Sequence, residues 1–139
     1  MPKHSLLLRT ALLLGLLLSA ASQGAVIDDQ LKSLQSQAKQ SFSADRGRQF
    51  WDHKQPAPDG GQARSCSACH TTDLSRTGEH IRTHKRIQPM APSVNPKRLT
   101  DSRKMRKWLL RNCKYVLGRT CTAQEKGDVL TFIKGFKRG

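Results

Sequence analysis

Apolar residues recur at helical spacing near both ends of the chain and lose that spacing in its middle. Residues 25–42 predict an N-terminal amphipathic helix with an apolar side formed by Val26, Ile27, Leu31, Leu34 and Ala38. Ser43 is a typical N-cap for a short second helix that carries Gly47 and Phe50 about one turn apart. Gly47 would allow another helix to approach closely.

Two more helices are predicted in the C-terminal part. The first begins at a cap, Thr100 or Asp101, and ends at Gly118. Its inward stripe is expected to hold Met105, Trp108, Leu109 and Asn112. The last helix opens with a capping box, Thr122 and Glu125, and its apolar face consists of Val129, Leu130, Ile133 and Phe136. We expect Gly47 and Phe50 to pack against Phe132 and Phe136.

The segment from His70 to Thr100 has no apolar period and contains prolines at 89, 92 and 96. A structureless segment of that length in a compact domain is usually functional or wrapped around something. The chain as a whole therefore predicts an all-α domain with a long extended loop.

Residues 1–24 are typical of a secretory signal peptide. Basic residues Lys3 and Arg9 precede an apolar run over residues 11–18, and small residues follow. The run is shorter than the ~20 apolar residues that cross a bilayer, so cleavage near Gly24 is favoured over a membrane anchor. We expect export to the periplasm, an N-terminal helix over 25–42 and a functional domain over 43–139.

The chain is strongly basic, with a formal net charge of +15 from 25 Lys and Arg against 10 Asp and Glu. Loss of Lys3 and Arg9 with the signal peptide lowers that charge to +13. Export and the small number of aromatic residues disfavour nucleic acid, and cleavage leaves no stable membrane insertion. A basic surface that meets an acidic partner protein is the better interpretation, because opposite fields raise encounter rates.

The four cysteines form two pairs of different character. Cys113 and Cys121 enclose a short loop, and in an oxidising compartment such a pair predicts a disulfide. A two-thiol metal site is the weaker alternative, because no His or second thiol pair accompanies it.

Cys66 and Cys69 lie in the sequence CSACH, which is typical of c-type haem attachment. Thiols three residues apart lie on one side of a helical turn, where both can add to the haem vinyl groups. His70 then projects towards the iron. A thioredoxin-like motif would need a βαβ context that this chain lacks. One such motif predicts one covalent haem c in a cytochrome c-like helical domain, with the long loop wrapped round it.

Four residues are candidates for the iron position opposite His70: Met90, Asn112, His80 and His84. A Met on a proline-rich loop is a common sixth ligand of electron-carrying cytochromes, although it also fills gaps beside a porphyrin. Asn112 falls on the inward stripe of its helix, where a buried amide needs a partner, either a backbone group such as the turn at Gly118 or the iron. His80 and His84 lie in a charged loop, where solvated surface is the more typical position.

Several segments together resemble the sphaeroides haem protein family of monohaem c-type cytochromes. The match runs over residues 43–130 and includes ADRGRQFW, SCSACHT, IQPMAPSVNPKRLTD and, most specifically, RNCKYVLGRTC. The resemblance implies that Asn112 ligates the oxidised haem and swings away on reduction, and that Cys113 and Cys121 form a disulfide. Met90 stays the alternative ligand.

The resemblance also sets the functional expectation. The chain should transfer electrons, receive them from a dihaem cytochrome c or a membrane cytochrome b, and bind O₂, NO or CO once Asn112 has left. An oxygen or nitric oxide oxidoreductase activity would follow from such binding. The alternative is a plain His/Met-ligated electron carrier without enzymatic activity.

Overall fold

The computed structural model describes residues 24–138, so the predicted signal peptide lies outside the described residues apart from Gly24. Five helices form this part of the chain: α1 (24–35), α2 (Ala44–Asp52), α3 (Ser67–His70), α4 (Ser102–Leu117) and α5 (Ala123–Gly135). In the loop that follows α3, strand β1 (Gly78–Glu79) pairs antiparallel with strand β2 (Arg86–Ile87). The predicted all-α domain with a long loop is confirmed, and the small ladder is an addition to it. Between residues 24 and 138, no helix is long and apolar enough to cross a membrane.

The N-caps of α2, α4 and α5 and the stop of α4 lie where the sequence places them. The Ser43 hydroxyl accepts a hydrogen bond from the Arg46 amide at the start of α2. Asp101, not Thr100, caps α4, and Gly118 ends that helix with φ 72°, a conformation in which glycine carries no steric cost. Thr122 and Glu125 form the predicted capping box of α5.

Helices α2 and α5 pack closely together, and Gly47 is the point of closest approach. A Cβ atom at Gly47 would lie 2.8 Å from Phe132 Cβ and would overlap the backbone carbonyl of Asp128. Trp51 adds an edge-to-face contact with Phe132, with ring centroids 6.0 Å apart. The predicted contact between these helices is confirmed, and it forms the larger of two apolar clusters: Trp51, Leu74, Ala91, Val129, Phe132 and Ile133.

We expect Gly47→Ala to destabilise the protein by about 3 kcal/mol, because a backbone carbonyl cannot move aside as a flexible side chain does. Thermal or urea unfolding of the haem-loaded protein measures the effect. Gly135→Ala is the matched control, since nothing lies within 4 Å of its added Cβ. Equal stability of the two variants would contradict the close contact.

Helix α1 ends at residue 35, earlier than the predicted 25–42. Apolar positions become sparse after Leu34, and Gln37 and Ala38 donate backbone hydrogen bonds in a turn instead of continuing the helix. The turn brings the Phe42 ring onto Gly127, where any side chain would collide with it. Helix α1 docks on α4 and α5 through a second buried cluster: Ile27, Leu34, Met105 and Leu130.

Candidate haem site

Helix α3 is a single turn that places the motif cysteines on one side. The Ser65 hydroxyl accepts a hydrogen bond from the Ala68 amide at 3.1 Å, which fixes the start of the turn. The Cys66 carbonyl accepts from the His70 amide at 3.0 Å. Cys66 and Cys69 are both free thiols and both half-buried. The structure thus gives the two thiols the spacing that the motif predicts.

Cys66 lies in an apolar environment and packs against the larger apolar cluster. Burial raises the pKa of its thiol to about 12, so the group is uncharged at neutral pH. The apolar surroundings of Cys66 fit the attachment of a large apolar group beside it.

His70 packs against the Trp51 ring, with centroids 5.4 Å apart. Its Nδ1 atom is buried and has no hydrogen-bond partner among residues 24–138. Burial, followed by the positive charges of Arg98 and His80, lowers the pKa of the imidazole to about 4. The ring is therefore neutral at pH 7, which is the form that binds a metal.

Strand β1 lies directly against α3. A Cβ at Gly78 would overlap the Cys69 carbonyl oxygen and would come within 3.0 Å of His70 Cα. Gly78 is thus a point of close packing against the attachment turn that the sequence pattern did not indicate. The only sequence signal for this contact is a glycine in an otherwise polar loop.

We expect Gly78→Ala to push β1 away from α3 and to lower the fraction of protein that carries covalent haem. The absorbance of the purified protein per mole of polypeptide measures this fraction. Gly61→Ala is the control, because its added Cβ would lie 3.2 Å from the end of the Asp59 side chain, which can shift. A normal haem content in Gly78→Ala would show that the contact is not needed.

The Met90 segment is held in place by its backbone. The amides of Met90 and Ala91 donate to the Leu74 carbonyl, each at 2.9 Å. The Pro89 carbonyl accepts from Arg98 Nε at 2.9 Å and Asn95 Nδ2 at 3.1 Å. Met90 is half-buried and, like Cys66, packs against the larger apolar cluster.

Asn112 is half-buried on α4, directly before Cys113. Cys113 forms a disulfide with Cys121, with Cα atoms 5.6 Å apart, so the prediction of that bond agrees with the structure and the two-thiol metal site is wrong. Within the described part of the chain, the Asn112 carboxamide takes part in no hydrogen bond with another protein group. Its polar atoms are therefore available to a ligand.

Trp108 does not lie inward as predicted, because 50% of its surface is exposed to solvent. Met105 and Val116 are buried and Leu109 is half-buried, and these residues supply the core side of α4. Trp108 lies at the edge of that stripe, with the Arg111 guanidinium 5.2 Å from its ring centroid.

The two loop histidines differ from each other. His84 is exposed, as predicted, and its Nδ1 lies 2.7 Å from a Glu79 oxygen. His80 is half-buried, against the prediction, with its ring 5.8 Å from that of Tyr115 on α4. Its Nδ1 accepts from the Thr83 amide at 3.2 Å, which holds the ring in place.

The residues present fit a covalent haem c. They supply two thiols one turn apart, and a neutral imidazole with a buried, unsatisfied nitrogen. Among residues 24–138, no group of three or more His, Cys, Asp or Glu side chains could bind a metal ion by itself. The helical fold and the attachment motif together define the class: a small c-type cytochrome with a single haem c.

Comparisons with known proteins agree with this class. Residues 37–133 match the family described as Domain of unknown function (DUF1924). Cytochrome c-type protein SHP from Cereibacter sphaeroides is 46% identical over 92 residues, which cover 65% of this chain and 68% of that protein. Cytochrome c'' from Methylophilus methylotrophus is 36% identical over 87 residues, which cover 63% of this chain and 60% of that protein.

Solved structures are similar as well. Oxidised SHP, described as an oxygen-binding cytochrome c, superposes with a TM-score of 0.70 and 37% identity, over 77% of this chain and 94% of the other. Oxidised cytochrome c'' from Methylophilus methylotrophus gives a TM-score of 0.71 and 27% identity, over 85% and 97%. The chain therefore belongs to the sphaeroides haem protein family of monohaem c-type cytochromes, and the resemblance inferred from the sequence is confirmed.

Proposed function

We propose that this cytochrome is exported to the periplasm and exchanges electrons there through a haem whose distal ligand, Asn112, leaves on reduction. When bound, haem c supplies a one-electron ferric/ferrous couple and, in the ferrous state with Asn112 gone, a coordination position for O₂, NO or CO. Cys66 and Cys69 would hold the group by thioether bonds, and His70 would be its proximal ligand.

The observation that carries the proposal is the unpartnered carboxamide of Asn112 on α4. The carboxamide has no hydrogen-bond partner among the described protein groups, and its atoms are not among the buried polar atoms that lack a partner, so it is free to turn towards a ligand. The adjacent Cys113–Cys121 disulfide ties the end of α4 to the start of α5, which fixes the backbone from which the amide projects.

The chemistry of an amide supports its departure on reduction. An amide oxygen is a hard, weak ligand that suits ferric iron and binds the softer ferrous ion poorly. A thioether behaves in the opposite way and favours the ferrous state. Asn112 would therefore alternate between a bound and a released position, whereas Met90 would stay bound in both.

The second candidate function is a plain electron carrier with Met90 as the sixth ligand. The observation in its favour is the position of Met90, half-buried beside the cluster that Cys66 contacts and held there by Leu74 and Arg98. The same contacts are also consistent with a Met that only fills a gap in the core and does not bind the iron.

Binding of CO to the dithionite-reduced holoprotein tests the proposed function. We expect wild type and Met90→Leu to bind one CO per haem with the same spectral shift, because neither would have a sixth protein ligand when reduced. A reduced wild type that is indifferent to CO, together with a Met90→Leu variant that binds it, would contradict the proposal and establish the carrier.

The proposed partner is a redox protein with an acidic surface, of the dihaem cytochrome c or membrane cytochrome b kind. The net charge of +13 expected after removal of Lys3 and Arg9 supports electrostatic attraction to such a surface. Turnover of O₂ or NO would make the protein an oxidoreductase, and consumption of either gas by the reduced holoprotein with an electron donor tests that step.

A further inference from the structure

Helix α4 is strongly basic. It carries six basic residues and no acidic one over its sixteen positions: Arg103, Lys104, Arg106, Lys107, Arg111 and Lys114. All six are exposed. The acidic residues of the chain lie elsewhere, apart from the cap Asp101 at the start of the helix.

Few of these charges are neutralised within the described part of the chain. Lys104 lies 3.9 Å from the Asp101 carboxylate, and Arg106 contacts the amide of Gln30 at 3.3 Å. No described carboxylate lies within 4.0 Å of the other four side chains, Arg103, Lys107, Arg111 and Lys114. The helix therefore presents net positive charge to its surroundings.

Two large apolar residues are exposed among these charges. Trp108 is 50% exposed and Leu110 42% exposed. The Arg111 guanidinium lies 5.2 Å from the Trp108 ring centroid and the Lys107 ammonium 6.0 Å from it, so the indole lies among the basic side chains. Trp and Arg at the centre of a contact commonly carry most of its binding energy.

We propose that the α4 outer face, formed by Arg103, Lys107, Trp108, Leu110, Arg111 and Lys114, docks an acidic electron-donor protein. The inference rests on the proposed function and adds the surface through which the electron arrives. One electron leaves the reduced cofactor of the partner and is accepted at the haem held by Cys66, Cys69 and His70. Charge complementarity selects the acidic partner, and Trp108 lies one helical turn before Asn112 on the same helix.

The experiment uses flavodoxin hydroquinone, an acidic electron-transfer protein, as the donor to the oxidised holoprotein. Stopped-flow absorbance measures the second-order rate constant of reduction at low and high ionic strength. The test variant combines Lys107→Glu with Arg111→Glu. The matched control combines Lys32→Glu with Lys39→Glu, which makes the same change of net charge at exposed positions off α4.

We expect the α4 pair to lower the rate constant at low salt roughly tenfold more than the control pair does, and salt to remove most of the difference. Trp108→Ala should lower the rate constant at both salt concentrations, since its contribution is apolar. Equal effects of the two charge-reversed pairs would overturn the proposal, because net charge alone would then explain them.

Photoreduced lumiflavin, a small uncharged donor, separates docking from the proposed function. We expect it to reduce wild type and all variants at equal rates. A wild type that lumiflavin cannot reduce would contradict the proposed electron transfer itself. Vesicles of phosphatidylglycerol probe an anionic membrane instead: binding that only the α4 variants lose, with unchanged flavodoxin rates, would overturn the assignment to a protein partner.

Discussion

Replacing Asn112 with alanine changes the visible spectrum of the oxidised holoprotein and leaves that of the reduced holoprotein nearly unaltered. This asymmetry is expected because the carboxamide would bind ferric iron and would already be released from ferrous iron. Alanine is a strong helix former, so α4 stays intact and the spectral change reports the loss of the ligand and not the unfolding of a helix. Absorption spectra of both oxidation states, recorded on the purified protein, measure the effect.

Asn95→Ala is the matched control for this substitution. It removes the same carboxamide from a position where the amide bonds to the Pro89 carbonyl in the Met90 segment. We expect its oxidised spectrum to equal that of wild type. If Asn95→Ala alters the oxidised spectrum and Asn112→Ala does not, the Met90 segment carries the ligand and the account is wrong.

Replacing Cys66 and Cys69 together with serine abolishes covalent attachment of haem. No thiol at these positions would be left to form a thioether, and Cys113 and Cys121 are already joined to each other. Haem that stays with the polypeptide on a denaturing gel measures attachment, and the mass of the intact protein gives the number of haems bound. A denaturation-resistant haem in this variant would contradict the assignment.

The matched control is the exchange of Cys113 and Cys121 for serine. It removes two thiols from the other pair and should leave covalent haem in place. Loss of the loop closure should lower the free energy of unfolding by about 2.5 kcal/mol in the chain-entropy model. The two double variants thus distinguish the pairs, because only the Cys66/Cys69 variant should lose covalent haem and only the Cys113/Cys121 variant should lose the loop closure while keeping it.

Local signals in the sequence predicted the frame of the domain well. Caps and stops act over three or four residues, so Ser43, Asp101, Gly118 and the Thr122–Glu125 box could be found by inspection and occur in the structure. The attachment motif is equally local. Its one-turn geometry in α3 follows from the spacing of Cys66 and Cys69.

Features that depend on contacts distant in sequence could not be predicted in the same way. Gly78 matters because the loop returns to lie on Cys69, and nothing within the loop specifies that contact. His80 is half-buried because Tyr115 of α4 lies beside it. Trp108 lies at the edge of an apolar stripe. Its hydrophobicity alone predicts burial, but it is half exposed, with its ring beside the charged groups of Arg111 and Lys107.

We propose that Asn112 is the ligand of the oxidised haem and is released on reduction. Crystal structures of the holoprotein in both oxidation states test it most directly, through the distance from the iron to the Asn112 carboxamide. We expect bonding distance in the oxidised crystal and a carboxamide turned away from the iron in the reduced one. The Met90 sulfur at bonding distance from the iron in both crystals would contradict it.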